Sequence, residues 1–194
     1  SEIIDLTASK NNSEQKKELN MSAGETVYWK LDNTTGRDVT VTVSVEKFTI
    51  HTMAEGENSF AINSNSSQYY SFTAPEAGDY IFAFKSDGDW GYAYKYPNMY
   101  FDSFDEYLSF YSSYQKRSYT LSAQETVYWK IDNNSESDME VTALVKKDVP
   151  VEITADGVSA GIAYNLDQWF SYTADEDAIY RFTFTSDTSS CLAA

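Results

Sequence analysis

Residues 22–33 read SAGETVYWKLDN and residues 122–133 read SAQETVYWKIDN, identical at ten of twelve positions. The same offset of one hundred lays 67–87, SQYYSFTAPEAGDYIFAFKSD, over 167–187, DQWFSYTADEDAIYRFTFTSD, without a gap. The chain reads as an internal duplication, so whatever it folds into is built from elements that recur every hundred residues. Positions held in both copies are expected to serve the shared scaffold. Positions found in one copy are candidates for function.

The repeated stretches carry the two-residue period of strands. Val27, Trp29 and Leu31 alternate with Tyr28, Lys30 and Asp32, and Val39, Val41, Val43 and Val45 alternate with polar neighbours. In the second copy Val141, Ala143 and Val145 keep the apolar side. Tyr80, Phe82 and Phe84 align with Tyr180, Phe182 and Phe184, while Ile81 and Lys85 drift to Arg181 and Thr185, which separates a core face from a solvent face. On this phase Trp29 and Trp129 belong to the core. Turn signals at 33–36, 77–79 and 155–157 fall between the strands. Six or seven short strands per copy imply an antiparallel β-sandwich. The expected fold is all-β: one lobe over 1–89, a second over 115–194, and an ordered segment over 90–114 between them.

That segment, WGYAYKYPNMYFDSFDEYLSFYSSY, holds eleven aromatic residues in twenty-five. Flexible linkers are rich in Gly, Ser or Pro instead, so it should pack. Phe101, Phe104, Leu108 and Tyr111 have the spacing of one short helix.

Thirty acidic and fourteen basic residues give a formal charge of −16. Such a chain repels phosphate backbones and anionic lipid, which argues against nucleic-acid and membrane-surface partners. No apolar run of eighteen residues offers a membrane span. Cys191 is the single cysteine, so no intrachain disulfide forms.

Motifs for catalysis fail on context. Gly157-Val158-Ser159-Ala160-Gly161 spells G-x-S-x-G, but a nucleophile elbow needs a strand-to-helix turn and a later histidine, and the one histidine, His51, lies upstream in an expected strand. One histidine and one cysteine make no transition-metal site. Asp87-Gly88-Asp89 has oxygen ligands and a tight turn but no full calcium loop around it, and reads as a solvated turn. With thirty acids, pairs of carboxylates arise by chance. No catalytic residue, metal or cofactor is expected.

Aromatic faces remain. A pyranose ring offers C–H groups on one side and hydroxyls at its rim; Tyr and Trp stack on the first, and Asp, Asn, Gln or Lys bond the second. Trp90 aligns with Ser190, so the common scaffold does not require it. Tyr69 and Trp169 are twins that alternate with the core rings Tyr70/Phe72 and Phe170/Tyr172, and point outward on that phase; Gln68 and Gln168 adjoin them. The candidate carbohydrate site is Trp90, Tyr92, Tyr94 and Tyr96 with Tyr69 and Trp169 as stacking rings, and Asp89, Lys95, Asn98 and Gln168 as hydrogen-bonding groups.

The stretch Phe72-Thr73-Ala74-Pro75 followed by Gly78-Asp79-Tyr80 is similar to pre-peptidase C-terminal-type domains; the second copy departs from it with Asp175 for the proline and Ala178-Ile179 at the turn. The duplicated, aromatic-laden, acidic whole resembles the bilobed starch-binding modules of amylosome adherence proteins in gut ruminococci. The resemblance implies a non-catalytic module of a secreted or cell-surface bacterial protein, holding starch or maltooligosaccharides between two lobes and working beside other modules. The alternative is a protein-binding adhesion module that docks its partner on the aromatic segment.

Overall fold

The computed structural model describes residues 19, 21–31, 36–101 and 103–187. Eleven strands and no helix occur among them: β1 Ile50–Thr52, β2 Gly56–Ile62, β3 Ser66–Thr73, β4 Gly78–Ser86, β5 Gly91–Tyr96, β6 Glu106–Phe110, β7 Gln115–Leu121, β8 Thr126–Asn133, β9 Met139–Lys147, β10 Val151–Glu152 and β11 Phe170–Ser171. The helix expected around Phe101–Tyr111 is instead a loop leading into β6. Glu106–Phe110 alternates Tyr107 and Ser109 with buried Leu108 and Phe110, so the period of two prevails over the i, i+3, i+7 coincidence.

Two sheets make the central sandwich, and β10 and β11 pair in parallel as a separate two-stranded sheet. One sheet of the sandwich has the order β1-β3-β8-β5-β6 and the other β2-β9-β4-β7; β1 runs parallel to β3, and the other pairs in both sheets are antiparallel. One apolar cluster joins their inner faces. Tyr70 and Phe72 of β3, Val127, Trp129 and Ile131 of β8, and Phe110 of β6 meet Tyr80, Phe82 and Phe84 of β4 and Val141, Ala143 and Val145 of β9. Trp129 lies at its centre, with ring centroids 5.3 Å from Phe82 and 5.0 Å from Phe84.

The pairing crosses the expected lobe boundaries. Strand β3 bonds β8 over eight residues, from Ser66↔Asn133 to Thr73↔Thr126, and β2 and β4 flank β9. One sandwich is thus assembled over 50–147 from the second half of the first copy, the aromatic segment and the first half of the second copy. The aromatic segment and its continuation supply β5, β6 and β7, so it is part of the sheets and not a connector.

The outer repeat halves are the mirror of this arrangement. Residues 22–31 and 36–49 form no strand, and their apolar positions are open where the twins are closed: Trp29 is 41% exposed against 1% for Trp129, and Val45 98% against 0% for Val145. The inward phase read for Trp29 does not place it in a core, because no facing sheet covers it. Buried Asn133 shows what the paired copy gains: its Nδ2 donates to the carbonyls of Ile62, Asn63 and Ser137 at 3.0, 3.1 and 2.8 Å, and its Oδ1 accepts from Ser135 N.

The two near-identical tryptophan motifs give a direct check on this pairing. Trp129→Ala should lower the stability of the central sandwich by about 3–5 kcal/mol, the usual cost of emptying a large aromatic from a core. Trp29→Ala should change it by less than about 1 kcal/mol. Urea unfolding at micromolar protein measures both, and a large loss for Trp29→Ala with a small one for Trp129→Ala would mean that the first motif, not the second, lies beside β3.

Candidate functional site

The site is built on the outer face of β5, β6 and β8. Alternation along β5 turns Gly91 and Ala93 into the core and Tyr92, Tyr94 and Tyr96 outward. The register with β6 then decides what stands beside them: Gly91↔Phe110, Tyr92↔Ser109 and Tyr94↔Tyr107. Trp90 falls opposite Tyr111 one step beyond.

That register has an identifiable lock. The ring of Phe110 lies over Gly91 so closely that a Cβ there would sit 2.3 Å from the ring's Cζ. Phe110 is fully buried and packs on Phe84 at 5.8 Å between centroids, so it has nowhere to retreat. An aromatic side chain laid across a strand glycine covers the backbone that the missing side chain leaves bare.

The result is two groups of rings on one face, a Trp90–Tyr111 pair and a cluster of Tyr92, Tyr94, Tyr107 and Phe104. Trp90 and Tyr111 stack at 5.3 Å with planes 24° apart. Tyr92 lies 6.4 Å from both Tyr94 and Tyr107, Tyr94 and Tyr107 are 5.9 Å apart at 31°, and Phe104 closes the cluster edge-on to Tyr94 at 5.2 Å. Trp90, Tyr107, Tyr111 and Phe104 are exposed and Tyr92 and Tyr94 half-buried. Strand β8 sets charge beside this cluster, since Tyr92 pairs with Asp132 and Tyr94 with Lys130. Lys130 Nζ and Asp132 Oδ1 are 3.4 Å apart, and among the described residues no group donates a hydrogen bond to that buried oxygen. Burial, and next the Asp132 carboxylate, push the Tyr94 hydroxyl above its ordinary ionisation range; Tyr92 and Tyr107 add to the shift. Tyr94 is therefore a neutral hydroxyl at physiological pH, able to donate as well as accept.

Of the candidates from sequence, Trp90, Tyr92 and Tyr94 share this face. Tyr96 shares the phase but is covered by Phe101 and Phe104, at 5.0 and 6.2 Å. Tyr69 likewise points outward, as its alternation indicates, yet is only 3% exposed, because Phe48 and Phe101 close over it at 4.9 and 4.7 Å. Phe101 adopts a left-handed φ of 52°, an uncommon conformation for a bulky residue, which its seat on Tyr69, Tyr96 and Tyr128 holds in place.

The polar candidates go elsewhere. Lys95 turns away to an ion pair with Asp105 at 2.6 Å and lies over the Tyr119 ring. Asn98 Oδ1 accepts from Tyr100 N at 2.9 Å and shapes the loop. Asp89 Oδ2 accepts from Ser137 Oγ at 2.9 Å, tying the β4–β5 turn to the β8–β9 turn, and Asp87 Oδ1 accepts from Glu140 N at 3.2 Å, so both acids of that turn are spent on the scaffold. Gln68 faces inward and donates to Ala61 O at 2.8 Å. Gln168 accepts from Lys146 Nζ at 3.2 Å, and neighbouring Leu166 packs on Ile81 and Ala83 of the other sheet, so Gln168 is placed away from Trp90; Trp169 follows it in sequence, with its ring exposed. The Gly157–Gly161 stretch is exposed and irregular, and among the described residues no group of three or more His, Cys, Asp or Glu could hold a metal.

Sequence reasoning missed Tyr107, Tyr111 and Phe104 as site residues, and Lys130 and Asp132 altogether. The last two were legible as the polar phase of the repeated VYWKIDN motif, but their meaning depends on β5 lying alongside.

No family model and no curated protein matches the sequence. Among solved structures, the pre-peptidase C-terminal domain of collagenase from Bacillus anthracis aligns with 53% of this chain and 100% of its own, at 8% identity and a TM-score of 0.43. PliG of Salmonella Typhimurium, a periplasmic inhibitor of g-type lysozyme, aligns with 50% of this chain and 98% of its own, at 16% identity and a TM-score of 0.33.

Two outcomes follow from the geometry. In Asp132→Asn, the Tyr94 hydroxyl should titrate at lower pH than in the parent while staying above the ordinary tyrosine value, since burial remains; ¹³Cζ-tyrosine NMR across pH 8–12 reads this, and an unmoved Tyr94 would separate Asp132 from the ring cluster. Gly91→Ala should cost about 1–3 kcal/mol by overpacking against Phe110 and disturb the Trp90–Tyr111 stack, visible as lower stability in denaturant and a changed near-UV circular dichroism band.

Proposed function

We infer that this chain is a non-catalytic carbohydrate-binding module whose ligand lies along the outer face of β5, β6 and β8. The observation that carries this reading is the gathering of six rings on one face, the Trp90–Tyr111 stack and the Tyr92–Tyr94–Tyr107–Phe104 cluster, with the Lys130–Asp132 pair beside the cluster. The rings offer apolar faces to sugar C–H groups. Lys130 can donate to a rim hydroxyl, and the tyrosine hydroxyls can both donate and accept. A formal charge of −16 fits a neutral polymer better than a polyanion.

Starch-type α-1,4-glucan is the polymer the ring geometry favours. Neighbouring planes turn by 30° from Tyr92 to Tyr94 and by 31° from Tyr94 to Tyr107. A helically curving glucan presents its units at changing angles, whereas the flat face of an extended β-linked chain calls for coplanar rings. The contacts are shallow and individually weak, as suits a module that gains avidity beside others in a secreted or cell-surface protein.

Affinity electrophoresis in gels containing amylopectin tests the reading. The parent protein should be retarded, Trp90→Ala and Tyr107→Ala should each weaken binding roughly tenfold, about 1.4 kcal/mol, and Trp169→Ala should migrate as the parent does. Retardation by a β-glucan alone would replace the polymer and keep the site. No retardation by any glycan would remove the carbohydrate reading and leave the protein-adhesion alternative, and release of reducing ends from soluble starch would contradict a non-catalytic role.

A further inference from the structure

The half-repeat at 151–187 keeps the internal geometry of its twin without the twin's partners. Val151↔Phe170 and Glu152↔Ser171 reproduce the parallel register His51↔Tyr70 and Thr52↔Ser71. Ile153 N donates to Ser171 O at 2.7 Å as Met53 N does to Ser71 O at 2.8 Å, and Tyr180 OH donates to Glu176 O at 3.0 Å as Tyr80 OH does to Glu76 O. Tyr172 meets Tyr180 and Phe182 at 5.3 and 5.6 Å, where Phe72 meets Tyr80 and Phe82 at 5.4 and 5.5 Å. Some local contacts of the twin are therefore kept around the β10–β11 pair, yet Phe184 is 64% exposed where Phe84 is fully buried.

Residues 156–162 and 178–186 form no strand where the twin has β2 and β4, and the twin's β2 and β4 are paired to β9 as its β3 is to β8. The sequence that makes β8 and β9 exists once more, at 26–33 and 39–47, and there too the apolar face is open: Trp29, Leu31, Val41, Val43 and Val45 are exposed. Among the described residues no strand pairing joins 22–49 to 151–187 within one chain. We propose that the 151–187 half of one molecule is completed by residues 22–31 and 36–49 of a second copy, in the register seen in the central sandwich. Each molecule carries one surplus of each kind, so two copies can satisfy each other reciprocally across a two-fold axis, or successive copies can join end to end. The pairing would hide two apolar faces that a monomer leaves in water.

The register names the test. Tyr28 should lie opposite Ser171, as Tyr128 lies opposite Ser71, within disulfide reach for directly opposed antiparallel residues. The full chain carrying Cys191→Ser, Tyr28→Cys and Ser171→Cys is oxidised at physiological ionic strength, which screens the like charges, beside a control in which Ile179→Cys replaces Ser171→Cys. The expected result is a disulfide-linked species of at least twice 22.0 kDa from the first pair and not from the control, with light scattering of the parent chain showing the same assembly rising with concentration and lost in Val43→Glu. A cross-link within single molecules would overturn the second copy in favour of the chain's own flank. Equal cross-linking of both pairs, or none, would overturn complementation itself.

Discussion

Strand β8 is hydrogen-bonded along its length to β3 on one side and β5 on the other, and the rest of the molecule depends on that position. Its inward residues Val127, Trp129, Ile131 and Asn133 are all buried, three in the apolar core and one as a hub of side chain–backbone bonds. Its outward residues Lys130 and Asp132 stand beside Tyr94 and Tyr92. A strand with period two cannot slip by one residue without exchanging these faces. The same register therefore holds the core together and places the charged pair beside the rings.

The aromatic face is stable in water because the edge of the sheet is organised beneath it. Phe110 over Gly91 fixes β6 against β5 from the inner side, and Phe101 over Tyr69, Tyr96 and Tyr128 seals one flank of the outer side. Packing of this kind consumes some aromatic residues so that others stay open. Tyr69 and Tyr96 are consumed; Trp90 and Tyr107 are open. Rings held by their neighbours have already lost rotamer freedom, which lowers the entropy that a ligand must offset.

Much of the fold was legible because alternation reports which side chains share a face, though Ile81, read as facing solvent, is buried with Ala83 and Tyr114 under Leu166. The inward faces of 80–84, 127–131 and 141–145 were readable from their letters, as was the outward phase of Tyr69. Partner choice was not readable, because two copies of one motif offer identical letters to the same neighbour. Trp29 and Trp129 have the same local sequence and opposite environments, and a propensity cannot distinguish them. Burial by a cover was also out of reach: Tyr69 is closed by Phe48 and Phe101, both distant in sequence. Lys95 failed as a ligand residue for a simpler reason, since side chains one position apart on a strand face opposite ways, and the tyrosines had taken the outer one.

Why the sandwich takes β8 and β9 from the second copy follows from the chain between them. Strand β7 is paired with β4 of the first copy and enters β8 through a four-residue turn, where Ser122 N donates to Glu125 Oε2 at 2.8 Å and Glu125 N to Ser122 O at 3.1 Å. Strand β5 leaves β4 through an equally tight turn and pairs with β8 itself. The segment 91–121 thus grips the first copy through β7 and the second through β5, and each closure is short, so it costs little entropy. The Ser22–Glu25 turn repeats the same bonds at 2.9 and 3.0 Å, but among the described residues, 22–31 and 36–49 show no comparable grip on the β4–β7 sheet. None of the six rings of the site has an aromatic twin: Trp90, Tyr92, Tyr94, Phe104, Tyr107 and Tyr111 align with Ser190, Leu192, Ala194, Ile4, Thr7 and Asn11. The one stretch that the duplication left unmatched both selects which copies combine and carries the surface on which the proposed function rests.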